Sequence, residues 1–302
     1  MPKAVTLMSK RQKPKVAKKG LNRRLLYGVA LTTIILLVVV VTYYLFLQPQ
    51  PESWTAAVVD QVTVEGLLNP TFNTTTSSLL NNSGFDVKYY PGSDVTVGFY
   101  RDLPSKGSKI VILRAHSAVR DDNASVDLFT SERFEVGKYA DYGKQISRAE
   151  FLTPPYNEYF AIGPTFVNSS MRGKFDADCV VILMGCNSLN KTSMAKALVE
   201  GRGAKVVIGW TRLVELNDAD TSIVKLLQYL LDDRNSVATA VGKLNPPSHP
   251  YHPYGTTLDY YPKSAGNYIV PQKSEAPLNL GWALQFLLSA PLPKCRKKVY
   301  DF

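Results

Sequence analysis

Hydrophobic positions along the chain follow three different patterns. Leu25 to Leu47 (LLYGVALTTIILLVVVVTYYLFL) is one apolar run of 23 residues with no charge. From residue 54 onward, short Val/Ile/Leu runs alternate with stretches of helical spacing. Between 118 and 156 the chain is polar and aromatic, and neither period persists. The alternating region predicts an α/β domain with a mainly parallel sheet flanked by helices. Ala56–Val59 reads as a first strand ending at Asp60, and Asp86–Tyr90 as a second. Three stronger strands follow: Lys109–Ala115 ending at His116, Cys179–Gly185 ending at Cys186, and Ala204–Gly209 ending at Trp210. Their near-continuous branched residues fit strands buried on both faces. Helices are predicted over Phe72–Leu80, Val95–Leu103 and Thr192–Gly201. Ile223, Leu226, Leu227, Leu230 and Leu231 predict a further amphipathic helix by their i, i+3, i+4 recurrence. Ala118–Tyr156 reads as a hairpin excursion, and Asn245–Tyr254 as a proline loop.

The apolar run is long enough for a helix of about 35 Å, more than a hydrocarbon core of about 30 Å. It exceeds the apolar core of a cleaved signal peptide, and Gln48-Pro49-Gln50-Pro51 offers no small-residue cleavage site. The expected organisation is a basic tail (1–24), a transmembrane anchor (25–47), a stiff linker (48–53) and one α/β domain (54–302). A second apolar stretch, Leu278–Leu292, is shorter, contains Gln285 and is broken by Pro291, so it reads as a packed element.

Charge changes the picture once it is divided. The chain carries 35 Lys+Arg and 25 Asp+Glu. Nine of the basic residues lie in the first 24 positions, leaving 26 basic against 25 acidic residues elsewhere. The tail therefore sets topology: it stays cytoplasmic by the positive-inside rule, and the large domain lies outside. A nucleic-acid binder carries its charge on the folded domain, so no nucleic-acid partner is expected. A nucleotide-binding module is not expected, because no glycine-rich loop follows the first strand.

Two of the strongest strands end in side chains suited to covalent catalysis. Ligands of open parallel sheets bind beyond the carboxyl ends of the strands. If the His116 and Cys186 strands are neighbours, about 4.8 Å apart, an imidazole and a thiol emerge side by side. Cys186 would be the nucleophile and His116 the base. The backbone N–H groups of Cys186 and Ser117 are the candidates for an oxyanion hole. Asp60 and Trp210 end strands at the same edge. Asp60 either reads a basic substrate residue or caps the next segment; Trp210 either walls a pocket or packs in the core.

An apolar strand followed by His116 and Ser117 (ILRAHS), then far downstream an apolar strand followed by Cys186 (VVILMGCNS), resembles the caspase-like cysteine peptidases of clan CD. The text from Cys186-Asn187-Ser188 through Met194–Leu198 to Gly203–Trp210 is most similar to the CHAT branch and to membrane-anchored caspase-like proteins of archaea. The resemblance spans roughly residues 56–270. It implies a caspase-hemoglobinase fold, His116 as base, Cys186 as nucleophile, a peptide or protein substrate and no cofactor. Ser117 replaces the family's usual glycine, and Met184-Gly185 precedes the cysteine, so no primary specificity carries over. Two functions are expected: a membrane-anchored extracytoplasmic cysteine peptidase, or a catalytically inactive caspase-like binding or scaffold module of the cell envelope.

The remaining candidates read more plainly. Cys179 begins the strand that Cys186 ends, about 23 Å away along it, and is expected in the core and not bonded to Cys295. His249 and His252 lack a third ligand, so no metal site is expected. Asn-x-Ser/Thr sequons occur at Asn73, Asn81, Asn123, Asn168 and Asn190.

Overall fold

The structure, a computed structural model, describes residues 23–42, 54–151, 156–245 and 254–273. The chain divides into two units, Met1–Glu52 and Ser53–Phe302. In the first, helix α1 covers Arg23–Thr42. Residues 43–47 of the apolar run lie outside the described residues, and among the described residues no helix is long and apolar enough to cross a membrane.

In the second unit, β1 (Thr55–Asp60), β2 (Asp86–Pro91), β3 (Ser108–Arg114), β8 (Val180–Leu183), β9 (Val206–Trp210) and β10 (Leu258–Tyr261) form one sheet. Its order is β10-β9-β8-β3-β1-β2. All pairings are parallel except β10 against β9. The expected mainly parallel sheet is therefore present, with β3 and β8 as central neighbours.

Burial on both faces explains the continuous apolar runs. Ala56, Val58, Ile110, Ile112, Val180, Ile182, Val206 and Ile208 face one core layer. That layer is closed by α2 (Pro70–Asn82), α6 (Leu216–Leu227) and α7 (Val237–Leu244). The alternate residues Ala57, Val59, Val111, Leu113, Val181, Leu183 and Val207 face the other layer. It is closed by α3 (Val97–Asp102), α4 (Pro164–Ser169) and α5 (Ser193–Lys196). Asn69 starts α2 by accepting the Phe72 N–H at 3.0 Å, with Pro70 at the first helical position.

The stretch between β3 and β8 departs from expectation. In place of one hairpin, β4 (Ser117–Val119), β5 (Val126–Arg133), β6 (Ile146–Glu150) and β7 (Glu158–Ile162) form a four-stranded antiparallel sheet in the order β4-β5-β7-β6. The inner face of this small sheet, with Leu128, Phe160 and Ile162, joins the second core layer. α7 and β10 are also additions to the sequence reading.

Candidate active site

The site grows from the β3–β8 pairing. Leu113 stands opposite Leu183 in the parallel register. His116 and Cys186 each lie three residues further on, beyond the ends of neighbouring strands. Equal offsets put both residues at the same carboxyl rim. The two exits are fastened together: the Ser117 hydroxyl donates to the Cys186 carbonyl at 2.6 Å. Gly185 permits this closeness. A Cβ there would collide with the Ser117 hydroxyl and stand 2.5 Å from the Ala115 carbonyl oxygen and 2.8 Å from the Ser117 nitrogen.

Ser117 is thus occupied as a strand clasp. Its backbone has a separate direction. Phe129 N–H donates to the His116 carbonyl and Arg120 N–H to the Ser125 carbonyl, which makes Ser117 opposite Leu128 a non-hydrogen-bonded pair. The Ser117 N–H therefore points away from β5, and its nitrogen lies close to Gly185.

His116 has well-defined surroundings. Its backbone N–H donates to Gln61 Oε1 at 3.1 Å. Its ring packs edge-on against Phe151, with centroids 4.8 Å apart, and is tilted to Phe129 at 5.9 Å. Its Nε2 lies 3.3 Å from Glu65 Oε2. That distance makes an ion pair of a protonated imidazole, although the Nε2 direction does not meet hydrogen-bond geometry. Tyr159 of β7 is buried close by. Burial pushes its phenol up, the Arg133 guanidinium over its ring opposes this, and Glu65 adds to the rise.

The Cys186 thiol is half-buried against the segment after β9. Its Sγ accepts the Val214 N–H at 3.5 Å and lies at the same distance from the Val214 carbonyl. The next residue, Asn187, takes a left-handed φ of 57° and donates its N–H to the Arg212 carbonyl at 2.8 Å. Among the described contacts no hydrogen bond joins Cys186 to His116. The strands bring the residues to one rim, while each side chain rests on its own neighbour.

Asp60 and Trp210, each expected either at a pocket or in a structural role, are both buried, and Asp60 makes no side-chain cap bond to the helix that follows it. Asp60 is fully buried and its carboxylate accepts from Arg114 at 2.8 Å, so it cannot read a substrate. Arg114, the last residue of β3, also makes a bidentate pair with Asp220 of α6, both contacts 2.8 Å. Burial alone would lower the Arg114 pKa, but the Asp220 and Asp60 partners outweigh it and leave it raised. The Asp60–Arg114–Asp220 cluster is a buried brace beneath the rim. Trp210 is a strand residue of β9, paired with Leu258 and fully buried in the first core layer, which fits its core-packing alternative.

Cys179 is fully buried in the second core layer as expected, and burial pushes its thiol up. The Asn73 amide of the first sequon is turned inward onto Asp60 at 3.4 Å. His249, His252, Cys295 and the 278–292 stretch lie outside the described residues. Among the described residues no three His, Cys, Asp or Glu side chains cluster as a metal site.

Gln61, Glu65 and Val214 are site neighbours that the sequence reading lacks. The only local signal is a glutamate just past the first strand's carboxyl end. No family model matches the chain, and no curated protein matches it.

Proposed function

We propose that this chain is a membrane-anchored, extracytoplasmic cysteine peptidase of caspase-like type, with Cys186 as nucleophile and His116 as base. The observation that carries this reading is the shared offset of His116 and Cys186 beyond the paired residues Leu113 and Leu183. Support also comes from the Ser117 N–H, which faces away from β5, and from the Val214 N–H at the sulfur.

The chemistry follows from these groups. The imidazole takes the thiol proton, leaving a thiolate and an imidazolium. The sulfur attacks the peptide carbonyl carbon, and the oxyanion is held by backbone N–H groups of Cys186 and Ser117. The imidazolium gives its proton to the leaving amine as the C–N bond breaks. Water then adds to the thioester, its proton passing to the imidazole, and the acid and thiol are released.

The anchor belongs to the same proposal. The 23-residue run 25–47 is long enough to cross a bilayer, and the basic residues before it favour a cytoplasmic N-terminus. Large apolar side chains are exposed along α1, among them Leu31, Ile34, Ile35, Leu36 and Leu37. Protease added to intact cells should digest the large domain; digestion only after lysis overturns this topology.

A second reading, the inactive binding or scaffold module, is favoured by one observation: the thiol and the imidazole contact Val214 and Glu65 and not each other. Labelling with a peptide-based thiol electrophile separates the two. The peptidase reading expects labelling that is abolished by Cys186→Ala and weakened by His116→Ala. A folded protein that takes no label supports the module.

A further inference from the structure

β4 is an edge of the small sheet: in the order β4-β5-β7-β6 its ladder partner is β5 alone. It starts directly after His116, and its backbone groups alternate in direction. Hydrogen bonds tie His116 to Phe129 and Arg120 to Ser125, and between them Ser117 stands opposite Leu128 and Val119 opposite Val126. Ser117 and Val119 are therefore non-hydrogen-bonded positions, with N–H and C=O turned away from β5. Among the described contacts no backbone hydrogen bond meets them on that side. This free edge begins at the cysteine: the Ser117 nitrogen lies close to Gly185, and the Ser117 hydroxyl holds the Cys186 carbonyl. The half-buried Val119 repeats the outward direction two residues, about 7 Å, further along. A cavity of about 550 Å³ lies over the outer face of the same sheet, with Ala118, Arg120, Phe129, Ala149 and Ala161 in its lining. Phe129 is shared with the site, since it also packs against the His116 ring.

Unpaired donors and acceptors along a strand edge are matched by another extended main chain. Continuity identifies that chain: the edge starts where Cys186 leaves β8, so a peptide paired to it leads from the sulfur. We propose that β4 is the docking strand for the extended main chain of a peptide substrate. The Val119 N–H donates to a substrate carbonyl and the Val119 carbonyl accepts a substrate N–H, about two residues from the carbonyl that Cys186 attacks. This rests on the peptidase reading for the identity of the peptide and of the attacked carbonyl. The side chains of an added strand alternate between the two faces of the sheet, so every second one lies on the side of Ala118 and the cavity. Main-chain pairing at Val119 is indifferent to substrate sequence, and the cavity is where side chains are read.

The test uses the full-length chain in mild detergent and a pool of side-chain-randomised peptides that carry a central Michael acceptor and extend to both sides of it. Labelling of Cys186 by the pool is compared with alkylation by iodoacetamide, which has no main chain to dock. Val119→Pro removes the outward N–H without removing a bond to β5, and Ala118 before it is already extended, as a proline requires. The expected result is peptide labelling slowed about tenfold, with iodoacetamide alkylation and thermal midpoint unchanged; Val119→Thr should match the unsubstituted chain. Pools methylated at one amide nitrogen at a time need no protein variant. Methylation about two residues from the acceptor should slow labelling about tenfold, on one side of it only. Equal peptide labelling of folded Val119→Pro and the unsubstituted chain, or an equal response to methylation at every position, overturns the docking strand. A chain that takes no peptide label overturns the peptidase reading, and hydrogen exchange then judges β4 by itself. Slowed exchange of the Val119 amide in the presence of an unreactive peptide pool supports the docking strand, and unchanged exchange overturns it.

Discussion

The hydroxyl of Ser117 donates to the carbonyl of Cys186 at 2.6 Å, so the residue after the histidine and the cysteine itself form one hydrogen-bonded unit. This bond ties the two strand exits to each other. The Ser117 side chain is thereby committed to the strand clasp.

Gly185→Ala tests the closeness of that unit. The added methyl would press on the Ser117 hydroxyl and on the Ala115 carbonyl, and the carbonyl is backbone. We expect a loss of about 1–3 kcal/mol in denaturant unfolding, with reduced Cys186 labelling. Unchanged stability and labelling would show that the exits are loosely held.

Asp60→Ala separates the buried brace from a substrate pocket. Arg114 would keep Asp220 but lose a partner in a site where all three side chains are nearly inaccessible. The expected cost is about 3 kcal/mol in unfolding, with no altered preference among basic, acidic and apolar peptide probes. A specific loss of basic probes at unchanged stability would restore Asp60 as a substrate contact.

The parallel core was legible because burial on both faces writes itself as continuous Val, Ile and Leu in β3, β8 and β9. The small sheet was not. β4 has three residues and β6 (ISRAE) is largely polar, so their strand character comes from pairing with β5 and β7. β10 (LDYY) is an antiparallel edge whose partner is β9. The α7 residues Val237, Ala240, Val241 and Leu244 do recur at helical spacing, and Ser236 caps them; that signal is present but short. The strand-end positions of His116 and Cys186 could be read locally. The partners of Asp60 and His116, Arg114 and Glu65, lie more than fifty residues away in sequence and emerge only from the fold.

Glu132 supplies the acid dependence. It accepts the Val97 N–H at 3.2 Å and the Tyr139 hydroxyl at 2.9 Å, and pairs with Lys138 at 2.7 Å. Burial alone would raise its pKa, but these donors outweigh it and hold it below the ordinary 4.5. A depressed folded pKa contributes stability above the unfolded value, which is lost as pH falls through the folded one. Glu132→Gln should therefore cost about 1 kcal/mol near neutrality, and the gap should close on acidification below about pH 4. A gap independent of pH would contradict the ionised carboxylate.

The most direct measurement is the rate at which iodoacetamide alkylates Cys186 in the full-length chain across about pH 5–9, with and without His116→Ala. Cys186→Ala identifies the signal. A working pair predicts that His116 accelerates alkylation near neutrality by about tenfold or more, since proton transfer to the imidazole supplies thiolate. Superimposable profiles for the two folded proteins would contradict it.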